Sequence, residues 1–305
     1  MSETTTQPKV AINCITYNHE AYIRECIEGF LMQKTNFPFV VILHDDASTD
    51  GTTAIIREYA EKYPDIIKPI FETENQWSKY DGSLFRIMDN ALLSTNAPYI
   101  AWCEGDDYWT DPFKLQKQVD FMESHPDYSL VFANVKLHYD TGLSDDTLDF
   151  ITGDYTALDI YTHSLIATPT VLYRKEVLRS ECYKKFSQIK KPLFGDVSLF
   201  LAASTIGKVY GMNEVVCGYR RLSSGATKTL NKKRYLYFLN RITLSKYFGN
   251  NFMDFDARNF GYEFLSAIKN FYDCPIENGK FIFRYMWFSP IYSWKIILRR
   301  LFNRA

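Results

Sequence analysis

The sequence has no CxxC pair. Its six cysteines, Cys14, Cys26, Cys103, Cys182, Cys217 and Cys274, never come closer than twelve positions apart, which excludes the common zinc and dithiol motifs. They read as small buried hydrophobes of a reducing, cytoplasmic protein. No run of about 18 apolar residues occurs, so no ordinary membrane span is expected. The polar start "MSETTTQPK" lacks the apolar core of a secretion signal. The five histidines show no HxxH or HxxxH spacing and read by default as surface or loop residues, with His19 and His44 near strand ends. A net charge of −1 leaves no broad basic face for nucleic acid. There is no internal repeat or low-complexity tract. A glycine-rich G-x-G-x-x-G is missing after the first apolar run, where "TYNHEAY" stands instead, and G-x-x-x-x-G-K-[ST] is absent throughout. Nicotinamide-dependent dehydrogenases and P-loop nucleotidases are thereby set aside. The glycine-rich, arginine-containing opening of sugar nucleotidyltransferases is also missing.

What remains is a chain of 305 residues, 46% hydrophobic and 23% charged, enough for one large domain with an appended part. Its first 130 residues alternate strand-like and helix-like segments. "KVAINCIT", "FPFVVILHDD", "IIKPIFE" and "PYIAWC" read as strands, and "AYIRECIEGFLMQ", "TAIIREYAEKYP", "SLFRIMDNALLSTN" and "DPFKLQKQVDFMESHP" as helices. "YSLVFANVKLHY" is a further strand. This alternation predicts a mostly parallel sheet with helices on both faces, and ligands beyond the carboxyl ends of its strands. Residues 140–154 read as an acidic loop leaving the sheet, and "DYTALDIYTHSL" as a helix with Asp154 as its N-cap. "TPTVLYRKEVL" reads as a strand running into a helix. "KVYGMNEVVCGYRRL" reads as two short strands, and the last 75 residues as helical.

Five stretches carry chemistry, each with a plainer alternative. In "ILHDDASTDGT", Asp45 and Asp46 close a strand and can accept hydrogen bonds from a base or ribose; the alternative is a helix start capped by Asp46 or Ser48. In "AWCEGDDYW", Glu104, Asp106 and Asp107 crowd a strand end. Such oxygen ligands suit Mg²⁺ or Mn²⁺, and the alternative is a solvated acidic turn. In "FGDVSLF", Asp196 opens a helix as a candidate base or as a simple cap. In "GYRRLSSGATK", Arg220, Arg221 and Lys228 surround a small-residue loop, as phosphate clamps or as a solvated loop. "KFIFRYMWFSPIYSWKIILRRLFNRA" is aromatic, basic and free of acids from Lys280 onward, split by Pro290 into two short helices. It suits a membrane interface, or a helical pair packed on the domain.

Three of these stretches, preceded by the first strand and helix, occur in a familiar order. "VAINCITYNHEAYIRECIEGFLMQ", "ILHDDASTDGT", "WCEGDDYW" and "FGDVSLF" resemble the successive motifs of family 2 glycosyltransferases over about residues 8–222. The resemblance implies a GT-A fold, Rossmann-like with a mostly parallel central sheet and flanking helices. It also implies an inverting sugar transfer, with Mn²⁺ or Mg²⁺, from a nucleotide-sugar donor, UDP-sugar being the expectation, to a hydroxyl of a glycan or lipid-linked saccharide. It assigns Asp46 to the donor's base, with Thr16, Tyr17 and Asn18 lining the same pocket. It assigns Asp106 to the ribose or donor sugar, Asp107 to the metal and Asp196 to general-base catalysis. Glu104 stands near where many members have an aspartate, and its role stays open. The implied organisation is a GT-A domain at 1–222, with a nucleotide-sugar half at 8–139 and an acceptor half at 140–222, followed by a helical extension at 223–305. Thr168–Thr170 and the 140–154 loop are candidates for the acceptor wall. The expected setting is cytoplasmic, at the inner face of a bacterial plasma membrane, in cell-surface polysaccharide synthesis. The competing reading is an inactive scaffold of the same fold, against which the intact Asp46, Asp107 and Asp196 speak.

Overall fold

The computed structural model describes residues 7–148, 152–163, 166–187, 195–222, 234–249, 252–253, 255–256, 275–290 and 293–294. The chain divides into two compact units, Met1–Ser224 and Gly225–Ala305.

The first unit begins with alternating strands and helices. β1 (Val10–Thr16), α1 (Ile23–Leu31), β2 (Phe39–Asp45), α2 (Thr52–Lys62), β3 (Ile67–Phe71), α3 (Ser83–Ser94) and β4 (Tyr99–Trp102) follow in order. A two-residue β5 (Tyr108–Trp109), α4 (Lys114–Ser124), β6 (Tyr128–Tyr139), β7 (Gly142–Thr147) and β8 (Gly153–Tyr155) come next. Then come α5 (Ala157–His163), β9 (Leu172–Arg174), α6 (Glu176–Arg179), α7 (Glu181–Ser187), α8 (Gly195–Ile206) and β10 (Lys208–Arg221). The main sheet runs β3-β2-β1-β4-β9-β6-β10-β5, with β7 on β6 and β8 on β10. β1, β2, β3 and β4 are mutually parallel, and β6 is parallel to β10. β9 is antiparallel to both neighbours, β4 and β6.

β1 is buried on both faces. Val10, Ile12 and Cys14 enter the core cluster with α1, while Ala11 and Asn13 bury the opposite face. That is why "VAINCIT" is a nearly continuous apolar run and not an alternating one. α1 sinks Ile23, Cys26, Ile27 and Phe30 into the core, at helical spacing. Gly29 lets it approach β5, since a Cβ there would lie 2.9 Å from the Trp109 nitrogen.

The structure departs from the sequence reading in four places, three of them in the acceptor-side half. The 140–154 segment holds strands β7 and β8 where a loop is expected. "KVYGMNEVVCGYRRL" is one long strand with register shifts between Gly211 and Val215 and between Val215 and Cys217; bulges bend it without ending it. Asp154 does not cap α5. It lies on β8 and accepts a hydrogen bond from the Tyr128 hydroxyl at 2.7 Å. Thr156 caps α5 instead: its Oγ1 accepts from Asp159 N at 3.2 Å, and Asp159 Oδ2 accepts from Thr156 N at 2.9 Å, a reciprocal box. His44, read as a surface or loop residue, is fully buried on β2.

The second unit contains α9 (Arg234–Phe248) and α10 (Pro275–Phe288). Its described interior includes Ile242, Leu244 and the buried ion pair of Arg241 with Asp256 at 3.1 Å. Among the described residues no helix is long and apolar enough to cross a membrane.

Candidate active site

The carboxyl ends of β1, β2 and β4 lie side by side, because Thr16 pairs with Asp45 and Asn13 pairs with Trp102. The loops that leave them are joined by backbone-to-side-chain hydrogen bonds. Asn18 sits at φ 55°, a left-handed conformation that asparagine tolerates. Its N–H donates to Ser48 Oγ at 2.9 Å, and its Oδ1 accepts from Thr49 N at 2.7 Å. His19 N donates to Thr52 Oγ1 at 2.8 Å, and Gly51 N to Glu20 Oε2 at 2.9 Å. Tyr17 is exposed at the mouth of this cradle, while Thr16 is buried beneath it.

Neither Asp46 nor Ser48 caps α2. Asp45 accepts from Ser48 N at 3.0 Å and from the Thr53 hydroxyl. Asp46 is buried, and its Oδ1 and Oδ2 accept from the backbone nitrogens of Gln76 and Trp77 at 2.7 and 3.0 Å. It thereby fixes a short 3-10 turn, Trp77–Lys79, above the end of β2. Each carboxylate oxygen has a second lone pair, so this anchoring leaves acceptor capacity.

Beyond β4 the chain keeps bonding to β1. Cys103 N donates to Asn13 O at 3.0 Å and Gly105 N to Ile15 O at 2.9 Å. Asp107 N then closes a turn onto Glu104 O at 3.1 Å. Gly105 is required here. A Cβ would lie 2.5 Å from Thr16 Oγ1 and 3.1 Å from His19 Nδ1, and both of those atoms are buried without a hydrogen-bond partner.

Glu104, Asp106 and Asp107 are close enough to act on one another electrostatically. Burial, then the charges of Asp106 and Asp196, push the Glu104 carboxyl up to about 8. Asp107 is almost fully buried, and burial raises it well above the usual carboxylate range, with Cys217, Asp106 and Glu104 adding to the effect. Asp196, distant in sequence, thus arrives within electrostatic reach of Glu104. It stands in the first turn of α8, where its Oδ1 accepts from Val197 N at 2.8 Å. Burial raises its pKa, and a hydrogen bond from the Thr168 side chain opposes the rise. Thr168 belongs to the 3-10 turn Thr168–Thr170, just before β9.

That turn rests on a buried polar chain that sequence reasoning missed. Lys114 Nζ donates to Gln118 Oε1 at 2.8 Å and lies 4.3 Å from the Trp109 ring centroid. Gln118 Nε2 donates to Thr170 O, and Trp109 Nε1 to Pro169 O, at 2.8 and 2.7 Å. The spacing of Lys114 and Gln118, four apart on one helix face, is visible in sequence, but their burial is not.

The three basic candidates separate. Arg220 is buried at the end of β10. Its guanidinium donates to Asp106 O at 2.5 Å and to Glu25, between the rings of Tyr22 and Tyr108 at 4.9 and 4.5 Å. Arg221 is exposed, 5.9 Å from the Tyr219 ring. Lys228 lies outside the described residues. Tyr22 and Glu25, one helical turn apart on α1, are the partners that local sequence gave no reason to choose.

Comparison with known proteins fits this geometry. The sequence matches the family model described as Glycosyl transferase family 2 over residues 12–180. It is 35% identical to the uncharacterised protein Rv1520 of Mycobacterium tuberculosis over 71% of this chain, and spans 60% of the length of that relative. It is 27% identical to TuaG of Bacillus subtilis, named as a teichuronic acid biosynthesis glycosyltransferase, covering 77% of this chain and 89% of TuaG. S. aureus TarS, solved as residues 1–349 with UDP-GlcNAc, superposes with a TM-score of 0.56 at 20% identity, over 72% of this chain and 61% of TarS. The mixed α/β sheet is that of GT-A structures. On the family match, which covers more than half of its residues, the chain belongs to glycosyl transferase family 2.

Proposed function

We propose that the protein transfers a sugar, with inversion, from a nucleotide-sugar donor to a hydroxyl of a glycan or lipid-linked saccharide in cell-surface polysaccharide synthesis. The observation that carries this reading is the convergence of Asp196 with the Glu104–Asp107 turn at the carboxyl ends of the strands. TuaG's name supports polysaccharide synthesis, and the UDP-GlcNAc held by TarS supports a uridine nucleotide. The setting we propose is the cytoplasmic face of the plasma membrane.

In this reading the cradle of Thr16, Tyr17 and Asn18, with the segment held by Asp46, receives the nucleotide. Asp106 meets the ribose or donor sugar. Asp196 accepts the proton of the acceptor hydroxyl as that oxygen attacks the anomeric carbon and the bond to the diphosphate breaks. The base stands on its own helix, apart from the carboxylates of the turn, and so is not consumed as a ligand. A divalent ion fits the turn, because the charge of Asp106 adds to the burial that opposes ionisation of Glu104 and Asp107, while the Arg220 guanidinium beside them is engaged by Glu25. Among the described residues no group of three or more His, Cys, Asp or Glu side chains is placed to hold a metal ion by itself. Mg²⁺ and Mn²⁺ commonly bind through one or two carboxylates plus substrate phosphates. Asp107 would hold the ion. When bound, it supplies positive charge to the departing diphosphate.

Titration calorimetry of the full chain with UDP and UDP-sugars tests the reading. Binding is expected in Mn²⁺ or Mg²⁺ and is lost in excess chelator. Absence of any metal-dependent nucleotide binding overturns it.

A further inference from the structure

α10 sorts its side chains by face. Tyr285 and Phe288 are buried, as are Ser289 and Ser293 just beyond its end, whereas Phe283 and Trp287 are 67% and 78% exposed and Trp294, past the end, is 57% exposed. Ser289 N donates to Tyr285 O at 2.8 Å and Ser293 N to Ser289 O at 3.0 Å. At about 100° per residue, Phe283 and Trp287, four positions apart, share one face of α10; Trp294 adds an exposed ring just beyond its end. Exposed Lys280 and Arg284 flank this face. The apolar residues exposed on the first unit, such as Tyr17, Phe113 and Leu143, are scattered along the chain; Phe283 and Trp287 lie one turn apart on α10.

Charge says what covers it. From Asn278 to Ala305 the sequence has six basic residues and no acidic one, in a chain whose net charge is −1. A protein partner could bury the rings, but this one-sided charge asks for an extended anionic surface. Tryptophan and phenylalanine beside lysine and arginine are the pattern of helices that lie in a bilayer interface.

We propose that this face of α10 docks on an anionic bilayer surface. Phe283, Trp287 and Trp294 enter the boundary between headgroups and acyl chains, and Lys280 and Arg284 meet lipid phosphates. The helix lies on the membrane without crossing it. The proposal goes beyond the transfer reading and can fail separately from it.

The test is sedimentation of the full chain with vesicles of phosphatidylcholine containing about 30 mol% phosphatidylglycerol, against pure phosphatidylcholine. The wild type is expected to pellet with the anionic vesicles and to bind pure phosphatidylcholine at least about fivefold more weakly, since each basic residue near such a surface contributes about fivefold. Phe283→Ser/Trp287→Ser/Trp294→Ser should lose at least about tenfold in partitioning, as three buried rings become hydroxyls. Lys280→Glu/Arg284→Glu should lose about as much and show a weaker salt dependence than the wild type. The mutated side chains are exposed, and far-UV circular dichroism with denaturant unfolding shows that each variant is folded. A wild type that stays in the supernatant with anionic vesicles overturns the proposal, as does a triple variant that pellets like the wild type. A wild-type dimer that the triple variant turns into a monomer, without vesicle binding, would reassign the face to contact between copies.

Discussion

Arg220 and Asp107, 113 residues apart, meet through the backbone: Arg220 N donates to Asp107 Oδ1 at 2.7 Å. The same residue's guanidinium holds Asp106 O from the other side. One arginine therefore fixes the carboxylate turn twice. Arg220→Lys keeps the backbone bond and the charge but loses the planar fork between Tyr22 and Tyr108. The expected result is a loss of about 1–3 kcal/mol in unfolding free energy and at least about tenfold weaker metal-dependent nucleotide binding. Denaturant unfolding and calorimetry measure the two; unchanged values in both would show that the turn stands without this clamp.

Asp196→Asn removes the proposed base and keeps the shape. Transfer should fall by about 10²–10⁴, with donor affinity within about twofold of wild type. The pH profile has a fixed sign. Burial raises the Asp196 pKa, and a base acts only when ionised, so wild-type turnover should climb as pH rises through that raised value. Full turnover in the variant would place the base elsewhere.

Gly105→Ala tests the close approach between the turn and β1. The new methyl would meet the Thr16 hydroxyl at 2.5 Å, forcing the strand ends apart at a cost of about 1–3 kcal/mol. Nucleotide binding should weaken more than stability falls. Gly105→Ala/Thr16→Gly, which removes the opposing side chain, should recover part of the binding.

Lys114 predicts a stability effect with a defined pH window. Burial lowers its pKa from 10.5 to about 7. A lysine whose folded pKa is depressed binds its proton more tightly in the unfolded chain, so folding is least favoured below about pH 7 and gains as pH rises from 7 toward 10.5. Wild-type melting temperature should rise across that window relative to Lys114→Met, which fills similar volume without a titrating group. Parallel curves for the two proteins would remove Lys114 as the source.

The donor side was legible because its signals are local. Apolar runs ending in "YN", "DD" and "EGDD" are strands whose ends carry polar groups, and the parallel βα alternation puts those ends together. The acceptor side was not, because its elements are defined by partners. "GLSDDT" has no strand pattern of its own and becomes β7 only on the edge of β6. Arg220 looked mobile beside "SSGATK", yet its binding partners, Glu25 and Asp106, come from α1 and the turn after β4. Bulged β10 read as two strands because its register slips against β6 while the chain runs on.

The reversed strand β9 has a consequence for synthesis. It is made after β6 yet lies between β4 and β6. Until Leu172–Arg174 emerge from the ribosome, the edges of β4 and β6 have nothing between them, and unpaired edges recruit strands from other chains. A nascent chain stalled after Tyr139 thus carries its donor-side strands without the strand that joins them to β6. The three residues of β9 are the seam that closes the sheet, and fragments ending before Arg174 should be recovered as aggregates.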